Sequence, residues 1–504
     1  MSFKIAFIGA GSIGFTRALL RDLLSVPEFK KIEIAFTDIS EENLNMVTKL
    51  CQRDIKENGL AIQLTATLDR REALKDARYI FSVVRIGGLE AFEQDISIPL
   101  RYGIDQCVGD TLSAGGIMYG QRGIQEMLAI CKDIREVAEP NCLLLNYANP
   151  MAMLTWACNT YGGVNTVGLC HGVQGGHRQI ANVFDLDKKE IDIVCAGINH
   201  QTWYIQIKHK GKDLTGSLLE AFEQYPEYKQ TEKVRIDMLK RFGYYSTESN
   251  GHLSEYVPWY RKRSDEIIDW IDLGTWINGE TGGYLRVCTE GRNWFKEDFP
   301  NWMKEPAFVY GDDERGEEHG SYIIEALETG RVYRGHFNRI NNGTIANLPD
   351  DCVIEAPGYV DRNGINMALV GELPLGCAAV CNASIQVQRL AVKAAVTGDD
   401  QLLRQAFMMD PLTGAVCTPP EIWQLVDDLL IAQEKWLPQY EKSIKEAKYR
   451  RANEPRLETK VSNGAARLKT KSIEELKENR MEAIKNAQAA DKAVDRPAHA
   501  RTIK

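Results

Sequence analysis

Gly9-Ala10-Gly11-Ser12-Ile13-Gly14 constrains this chain more than any other stretch. It follows a short apolar strand pattern, Lys4 to Ile8. It opens a segment, Phe15 to Leu24, whose apolar residues fall mostly on one helical stripe. A GxGxxG in that setting is the turn of a dinucleotide-binding βαβ unit. The first glycine allows the tight turn, the second lets a pyrophosphate approach the backbone, and the third lets helix and strand pack closely. The phosphates then meet N–H groups at the helix N-terminus. A second strand pattern, Ile32 to Thr37, ends at Asp38. Its carboxylate can accept from both ribose hydroxyls and would repel a 2′-phosphate. Gly9, Gly11, Ser12, Ile13, Gly14 and Asp38 are therefore the expected cofactor-binding residues, with NAD favoured over NADP. The alternative is a glycine turn that packs a βαβ unit without any ligand.

Strand and helix patterns go on alternating to about residue 195. Ile62 to Thr67, Tyr79 to Val84, Leu143 to Tyr147 and Val164 to Leu169 read as strands. The runs at 79–84 and 142–145 are nearly continuously apolar, as in strands covered on both faces. This order predicts an α/β chain: a Rossmann-type, doubly wound parallel sheet over residues 1–195. A second, mixed α/β (α+β) domain is expected over 196–440. Within it Cys352-Val353-Ile354-Glu355 and Gly358-Tyr359-Val360 suggest a second sheet, and helices are expected at 385–398 and 420–436. Residues 441–504 form a Lys-, Glu-, Arg- and Ala-rich extension, expected to be partly helical and surface-lying, or mobile.

Composition excludes several classes. A net charge of −9 argues against a nucleic-acid or anionic-membrane partner. No segment approaches the roughly 18 apolar residues of a membrane helix. The N-terminus lacks the layout of a secretory signal. The twelve cysteines form no CxxC pair, so reduced thiols in a cytoplasmic protein are expected.

Cys170-His171-Gly172 directly follows the Val164–Leu169 strand, and ligands of an open α/β sheet lie beyond the carboxyl ends of its strands. A single cysteine there is more often an inert buried thiol. His200, after the apolar stretch Ile191 to Ile198, is by itself more often structural. Residue type and spacing do not decide between these readings.

The ordered set of motifs goes further. Gly9–Gly14, Gly109-Asp110-Thr111, Asn146-Tyr147-Ala148-Asn149-Pro150, Cys170-His171-Gly172-Val173-Gln174-Gly175 and Gly197-Ile198-Asn199-His200 follow one another. Asn342-Gly343-Thr344-Ile345-Ala346-Asn347-Leu348-Pro349 and Gly371-Glu372-Leu373-Pro374 come next. Together, over roughly residues 3–438, they resemble glycoside hydrolase family four, most of all its α-galactosidase (melibiase) branch. The resemblance implies an NAD- and divalent-metal-dependent α-glycosidase, with manganese as the usual ion. Cys170 and His200 match the metal ligands, and Asn149 a ligand of a substrate hydroxyl. Asp110 and His171 are catalytic candidates; His171 stands where another branch of the family has an aspartate as acid. A tyrosine base is expected among Tyr244, Tyr245 and Tyr256, with Tyr256 favoured.

The implied chemistry suits these residue types. Oxidation at C3 acidifies the C2 proton, and a Lewis acid on O2 and O3 steadies the resulting enediolate. The glycosidic oxygen then leaves by elimination, water adds, and the hydride returns to C3 without net redox. Such NAD-dependent enzymes dispense with the usual carboxylate pair. A thiolate ligand also predicts that activity depends on reductant. The family further implies a homodimer or homotetramer acting on a small-molecule α-glycoside.

The sequence departs from the galactosidase pattern at Gly172, where serine is expected, at Tyr119-Gly120-Gln121-Arg122-Gly123, and in its long tail. A glucoside, a uronide or a 6-sulfo sugar is therefore an alternative substrate, with Arg85, Arg122 and Arg286 as possible partners of a charged C6 group. Arg286 is taken as the substrate-binding candidate. A lactate/malate-type dehydrogenase and an NAD-binding sensor without turnover are the competing classes.

Overall fold

The computed structural model describes residues 2–274, 276–311, 315–460 and 464–482. Residues 483–504 of the expected extension lie outside the described residues. Twelve strands join in a single mixed sheet. They are β1 (Lys4–Ile8), β2 (Glu33–Thr37), β3 (Gln63–Thr67), β4 (Ala77–Ser82), β5 (Leu143–Asn146) and β6 (Thr166–Gly168), then β7 (Ile191–Ile198), β8 (Gln201–His209), β9 (Lys212–Asp213), β10 (Tyr333–Ile340), β11 (Val353–Asp361) and β12 (Gly364–Met367). Their order across the sheet is β3-β2-β1-β4-β5-β6-β10-β11-β7-β8-β9, with β12 paired to β11.

The first six strands are parallel. They are connected by helices that include α1 (Ile13–Leu24), α2 (Glu41–Glu57), α3 (Arg70–Leu74), α4 (Gly88–Leu100), α5 (Ser113–Val137) and α6 (Met151–Thr160). Alternate side chains of each strand enter opposite cores, as the period of a strand dictates. Phe7, Phe36, Phe81 and Leu145 pack against α1 and α2. Ala6, Ile8, Ile80 and Leu144 pack against α5 and α6. Both faces are thus covered, which is why these strands are apolar nearly throughout.

Register positions the chemistry. Ile8 pairs with Ser82, Ser82 with Asn146, and Asn146 with Gly168. The carboxyl ends of β1, β4, β5 and β6 therefore lie in one row. The segments beginning at Gly9, Val83, Tyr147 and Leu169 all leave the sheet at the same edge.

The expected second sheet is corrected. Residues 353–361 make one strand, β11, of the same sheet. Pro357 has no N–H to give, but its carbonyl accepts from Ala368 N at 2.9 Å, so the strand continues through it. The antiparallel part joins the parallel part through the single pair Asn338–Gly168, and β7 joins β11 through Glu355–Gly197. β7 itself spans residue 195.

The described part of the extension is helical over Glu441–Asn453 and 473–482. It is tied to the body at several points. Arg450 pairs with Asp427 at 2.8 Å, Ala465 N donates to Asp105 at 3.0 Å, and Lys471 N donates to Glu290 at 2.8 Å. All twelve cysteines are free thiols, and all but Cys288 are buried. No helix among the described residues is long and apolar enough to cross a membrane.

Candidate active site

The glycine turn is fixed by close backbone approach. Gly9 has φ +83°, its N–H donates to Thr37 O at 2.9 Å, and a Cβ there would meet Val83 C at 2.9 Å. Only glycine fits. A Cβ on Gly11 would lie 2.7 Å from Asp38 Oδ2. Instead Gly11 N donates to that oxygen at 2.8 Å, and Ser40 N donates to Oδ1 at 2.7 Å. The Asp38 carboxylate is thereby fixed beside the turn. Ser12 precedes α1 without a side-chain cap, so the first amides of α1 are left uncapped, as an anion site requires. Gly14 corrects the sequence-based expectation. A Cβ there meets nothing within 4 Å, so its role is not helix–strand packing. Residue 14 stands in the first turn of α1, the end at which a phosphate would approach.

The second half of the site gathers at the ends of β5 and β6. After β5, Asn149 Nδ2 donates to Asp110 Oδ2 at 2.9 Å. After β6, Cys170 Sγ accepts from Gly172 N at 3.3 Å. His200 sits in the two-residue turn between β7 and β8, where Ile198 pairs with Gln201. Its φ of +61° is a left-handed conformation that tight hairpins demand and side chains rarely adopt. That turn aims the imidazole inward: Nδ1 is 3.0 Å from Thr111 Oγ1 and 3.5 Å from Tyr256 Oη.

Tyr256 ends the helix Asn250–Tyr256, which Ser249 caps by accepting from His252 N. The neighbouring Glu255, buried, accepts from the backbone N–H groups of Cys107, Val108 and Gly109 at 2.7, 3.0 and 2.9 Å. It thus fixes the segment that carries Asp110.

Among the described residues, two groups of side chains could hold a cation: Cys170, His200 and Glu248, and Asp110, His200 and His252. Within each group the ligand atoms lie within 4.8 Å of one another. The electrostatics agree. Burial pulls the His200 imidazole down to about 4, so it is neutral and able to ligate. Burial, reinforced by Glu355 and Glu248, pushes the Cys170 thiol well above its usual range, so a cation is needed to draw its proton off. Burial also raises Glu248, but the imidazoles of His252, His200 and His171 outweigh it and hold the carboxyl well below the usual range. His252, 3.0 Å from Glu248, is raised to about 9, Glu248 overcoming the cost of burial. The His171 ring is 65% exposed, 3.3 Å from Glu318 and 3.9 Å from Glu248. Glu318 first, and then Glu248, hold it up at about 9.

The structure therefore brings together Asp110, Asn149, Cys170, His171, His200 and Tyr256. It keeps four other candidates out. Tyr245 is buried in a separate core, stacked on Phe222 at 4.3 Å and donating to Gln179 at 2.9 Å. Tyr244 packs against the main core. Arg286 is corrected as a substrate ligand: Nε donates to Glu280 at 2.6 Å and Nη1 to Glu290 at 3.2 Å, so both sides of its guanidinium are engaged. Arg122 is likewise consumed by Asp95 at 2.6 Å, with both side chains 1% exposed. Arg85 differs. It lies among Phe92, Tyr119 and Tyr284 and donates Nη2 to Tyr284 at 2.9 Å, while its buried Nη1 has no partner among the described residues. Sequence reasoning missed Glu248 and His252. The one available signal was their four-residue spacing across the start of a helix: Glu248 precedes the cap Ser249 and His252 lies in the first turn.

Comparison with known proteins supplies the rest. The profile of the family 4 glycosyl hydrolases matches residues 4–186, and that of the family 4 glycosyl hydrolase C-terminal domain matches residues 195–413. An alpha-galactosidase of Rhizobium meliloti (strain 1021) is 58% identical over 94% of this chain and 97% of its own length. An alpha-galactosidase of Bacillus subtilis (strain 168) is 33% identical over 87% of this chain and 99% of its own. A crystal structure of a 6-phospho-alpha-glucosidase from gut microorganisms, in complex with NAD and glucose-6-phosphate, is similar at a TM-score of 0.72 and 25% identity. It covers 87% of this chain and 99% of that one.

Proposed function

The chain belongs to glycoside hydrolase family 4, and from that premise we propose that it hydrolyses α-galactosides with bound NAD and a divalent ion, Mn2+. The observation that carries this reading is the convergence of Cys170 and His200 ligand atoms within 4.8 Å, at the same sheet edge as the glycine turn. The galactoside rests on the two α-galactosidase relatives.

In this reading Gly11, Ser12, Ile13 and Gly14 receive the pyrophosphate and Asp38 the ribose. NAD supplies a reversible hydride acceptor for C3 of the sugar. Cys170 and His200 would hold the ion, which would supply positive charge to oxygens that become anionic. Asn149, already within reach of Asp110, turns its amide to a sugar hydroxyl.

Tyr256, 1% exposed, takes the C2 proton. Burial, with Glu255 and Asp110 beside it, holds its phenol well above the usual range; a cation held by His200, whose Nδ1 is 3.5 Å from the Tyr256 hydroxyl, would favour the phenolate. His171, protonated at neutral pH and exposed, gives a proton to the departing oxygen. Asp110 orients Asn149 and Thr111, accepting from them at 2.9 and 2.8 Å. A dimer or tetramer and a cytoplasmic setting belong to the same reading.

One observation favours a second substrate class. The unpartnered Nη1 of Arg85 is a buried cationic donor, suited to a carboxylate such as that of an α-galacturonide. The test is a panel of aryl α-galactoside, α-glucoside, α-galacturonide and α-sulfoquinovoside, assayed with NAD+, Mn2+ and thiol. Release of aglycone from the galactoside without NADH accumulation is expected. NADH formed in step with substrate, or no release from any member, would overturn the proposal. Preference for the galacturonide would favour the second reading.

A further inference from the structure

We infer that Glu248 is a third protein ligand of the divalent ion, completing a sulfur, nitrogen and oxygen set with Cys170 and His200. The inference rests on the proposed metal-dependent function and adds to it a residue outside the two metal ligands that the sequence motifs supply.

Four observations carry it. The ligand atoms of Cys170, His200 and Glu248 all lie within 4.8 Å of one another. Two donors bonded to one ion at ~2.0–2.5 Å stand no more than about 4–5 Å apart, so a single ion can touch all three. The Glu248 carboxylate is also pre-positioned. Its Oε2 pairs with His252 Nδ1 at 3.0 Å, and that nitrogen lies 2.6 Å from Ser249 Oγ. This leaves Oε1, 3.9 Å from His171 Nε2 and beyond hydrogen-bond reach of it.

The third observation explains the departure at residue 172. A Cβ on Gly172 would meet Glu248 Cγ at 2.5 Å and Cβ at 3.5 Å, and Cys170 Sγ at 3.5 Å. A serine there would displace the Glu248 stem. The glycine keeps open the volume that the glutamate fills beside the metal cysteine.

The fourth is chemical. A thiolate and an imidazole alone form a soft pair suited to zinc or iron, whereas a carboxylate oxygen shifts the set toward a harder ion such as manganese. Thiolate and carboxylate together also balance a charge of +2. With three protein ligands, the ion is held before any sugar arrives.

The test is Mn2+ titration of the full-length, NAD-loaded protein without sugar, with free Mn2+ read by electron paramagnetic resonance. Wild type is expected to bind. Glu248→Gln is expected to raise the dissociation constant on the order of 1,000-fold, beyond the roughly 10- to 100-fold that an outer-shell change costs. Gly172→Ser is expected to act in the same direction, and Glu248→Asp to recover part of the loss. In Co2+-loaded protein, Glu248→Gln should keep the near-ultraviolet thiolate-to-cobalt band while the d–d bands change. Should Glu248→Gln fail to fold, as judged by lost NAD binding, Gly172→Ser and Glu248→Asp carry the test. If these variants bind Mn2+ as wild type does while Cys170→Ser does not, Glu248 is no ligand, and the proposed function stands. If neither wild type nor Cys170→Ser binds Mn2+, the metal-dependent function itself falls.

Discussion

The glycine turn and the cleft beyond β6 meet at one sheet edge but are built on different scales. The turn is assembled from residues 9–14 and 37–40, and its hydrogen bonds join Gly9 to Thr37 and Gly11 to Asp38. The cleft draws on residues 110, 149, 170–171, 200 and 248–256, and its frame includes Glu255 clamping the backbone of Cys107 to Gly109 across almost 150 residues of sequence. A local unit of that kind is fixed by backbone geometry. A distributed one depends on register, on long-range ion pairs and on every segment arriving together. The two should therefore fail separately, and the largest effects should come from the distributed one.

Cys170→Ser gives the greatest loss. A Lewis acid contributes several kcal/mol to stabilising developing charge, so losing its thiolate anchor should lower turnover on the order of a thousandfold. NAD affinity, measured by fluorescence titration, should stay at the wild-type value. A matching loss of NAD binding would show that turn and cleft are one unit.

Arg286→Ala comes second and separates the cleft's frame from its chemistry. Arg286 and Glu280 have side chains only 15% and 1% exposed, and removing the cation leaves a carboxylate buried without its partner. A stability loss on the order of 3 kcal/mol is expected, read as a lowered thermal midpoint. KM for the glycoside at permissive temperature should not move. A raised KM with an unchanged midpoint would return Arg286 to the sugar.

Asp38→Ala is the reciprocal of the first test. Each hydrogen bond from a ribose hydroxyl to a carboxylate contributes about 1.5–3 kcal/mol, so losing both should lower NAD affinity by at least roughly 100-fold. At saturating NAD, kcat should recover to near wild type, because the hydrogen bonds of Asp38 go to Gly11 and Ser40 within the turn. A kcat that stays low would break the separation from the other side.

The same contrast of scale governs what could be read in advance. The turn was legible because its demands, a positive φ at Gly9 and no Cβ at Gly11, are met by glycine alone and within one βαβ unit. The parallel strands were legible because burial on both faces leaves continuous apolar runs. Cys170 and His200 carry no diagnostic spacing and came only through the ordered motifs. Glu248 was missed, since its spacing to His252 is a weak signal and it reaches the cysteine through space that a glycine vacates. The fusion of both halves into one sheet was equally hidden: it passes through single residue pairs, Asn338–Gly168 and Glu355–Gly197, which leave no pattern. Arg286 was misread although Glu280 and Glu290 flank it, the latter four residues on, a spacing that favours a helical ion pair.

Gly14→Ala is the smallest and sharpest probe of the turn. A Cβ at that position meets nothing within 4 Å, and residue 14 lies in the first turn of α1. Alanine there should be neutral or stabilising, by up to about 1 kcal/mol, because it narrows the unfolded ensemble and favours the helix. If the open space admits a phosphate, the added methyl should still weaken NAD several-fold, and added NAD should raise the thermal midpoint less than in wild type. Stability and cofactor affinity then move in opposite directions, which helix–strand packing cannot produce, since a packing glycine would lose both together. A destabilised Gly14→Ala protein with unchanged NAD affinity would restore packing as the reason for the third glycine. It would also make the turn dependent on the tilt of α1, and so less local than its hydrogen bonds suggest.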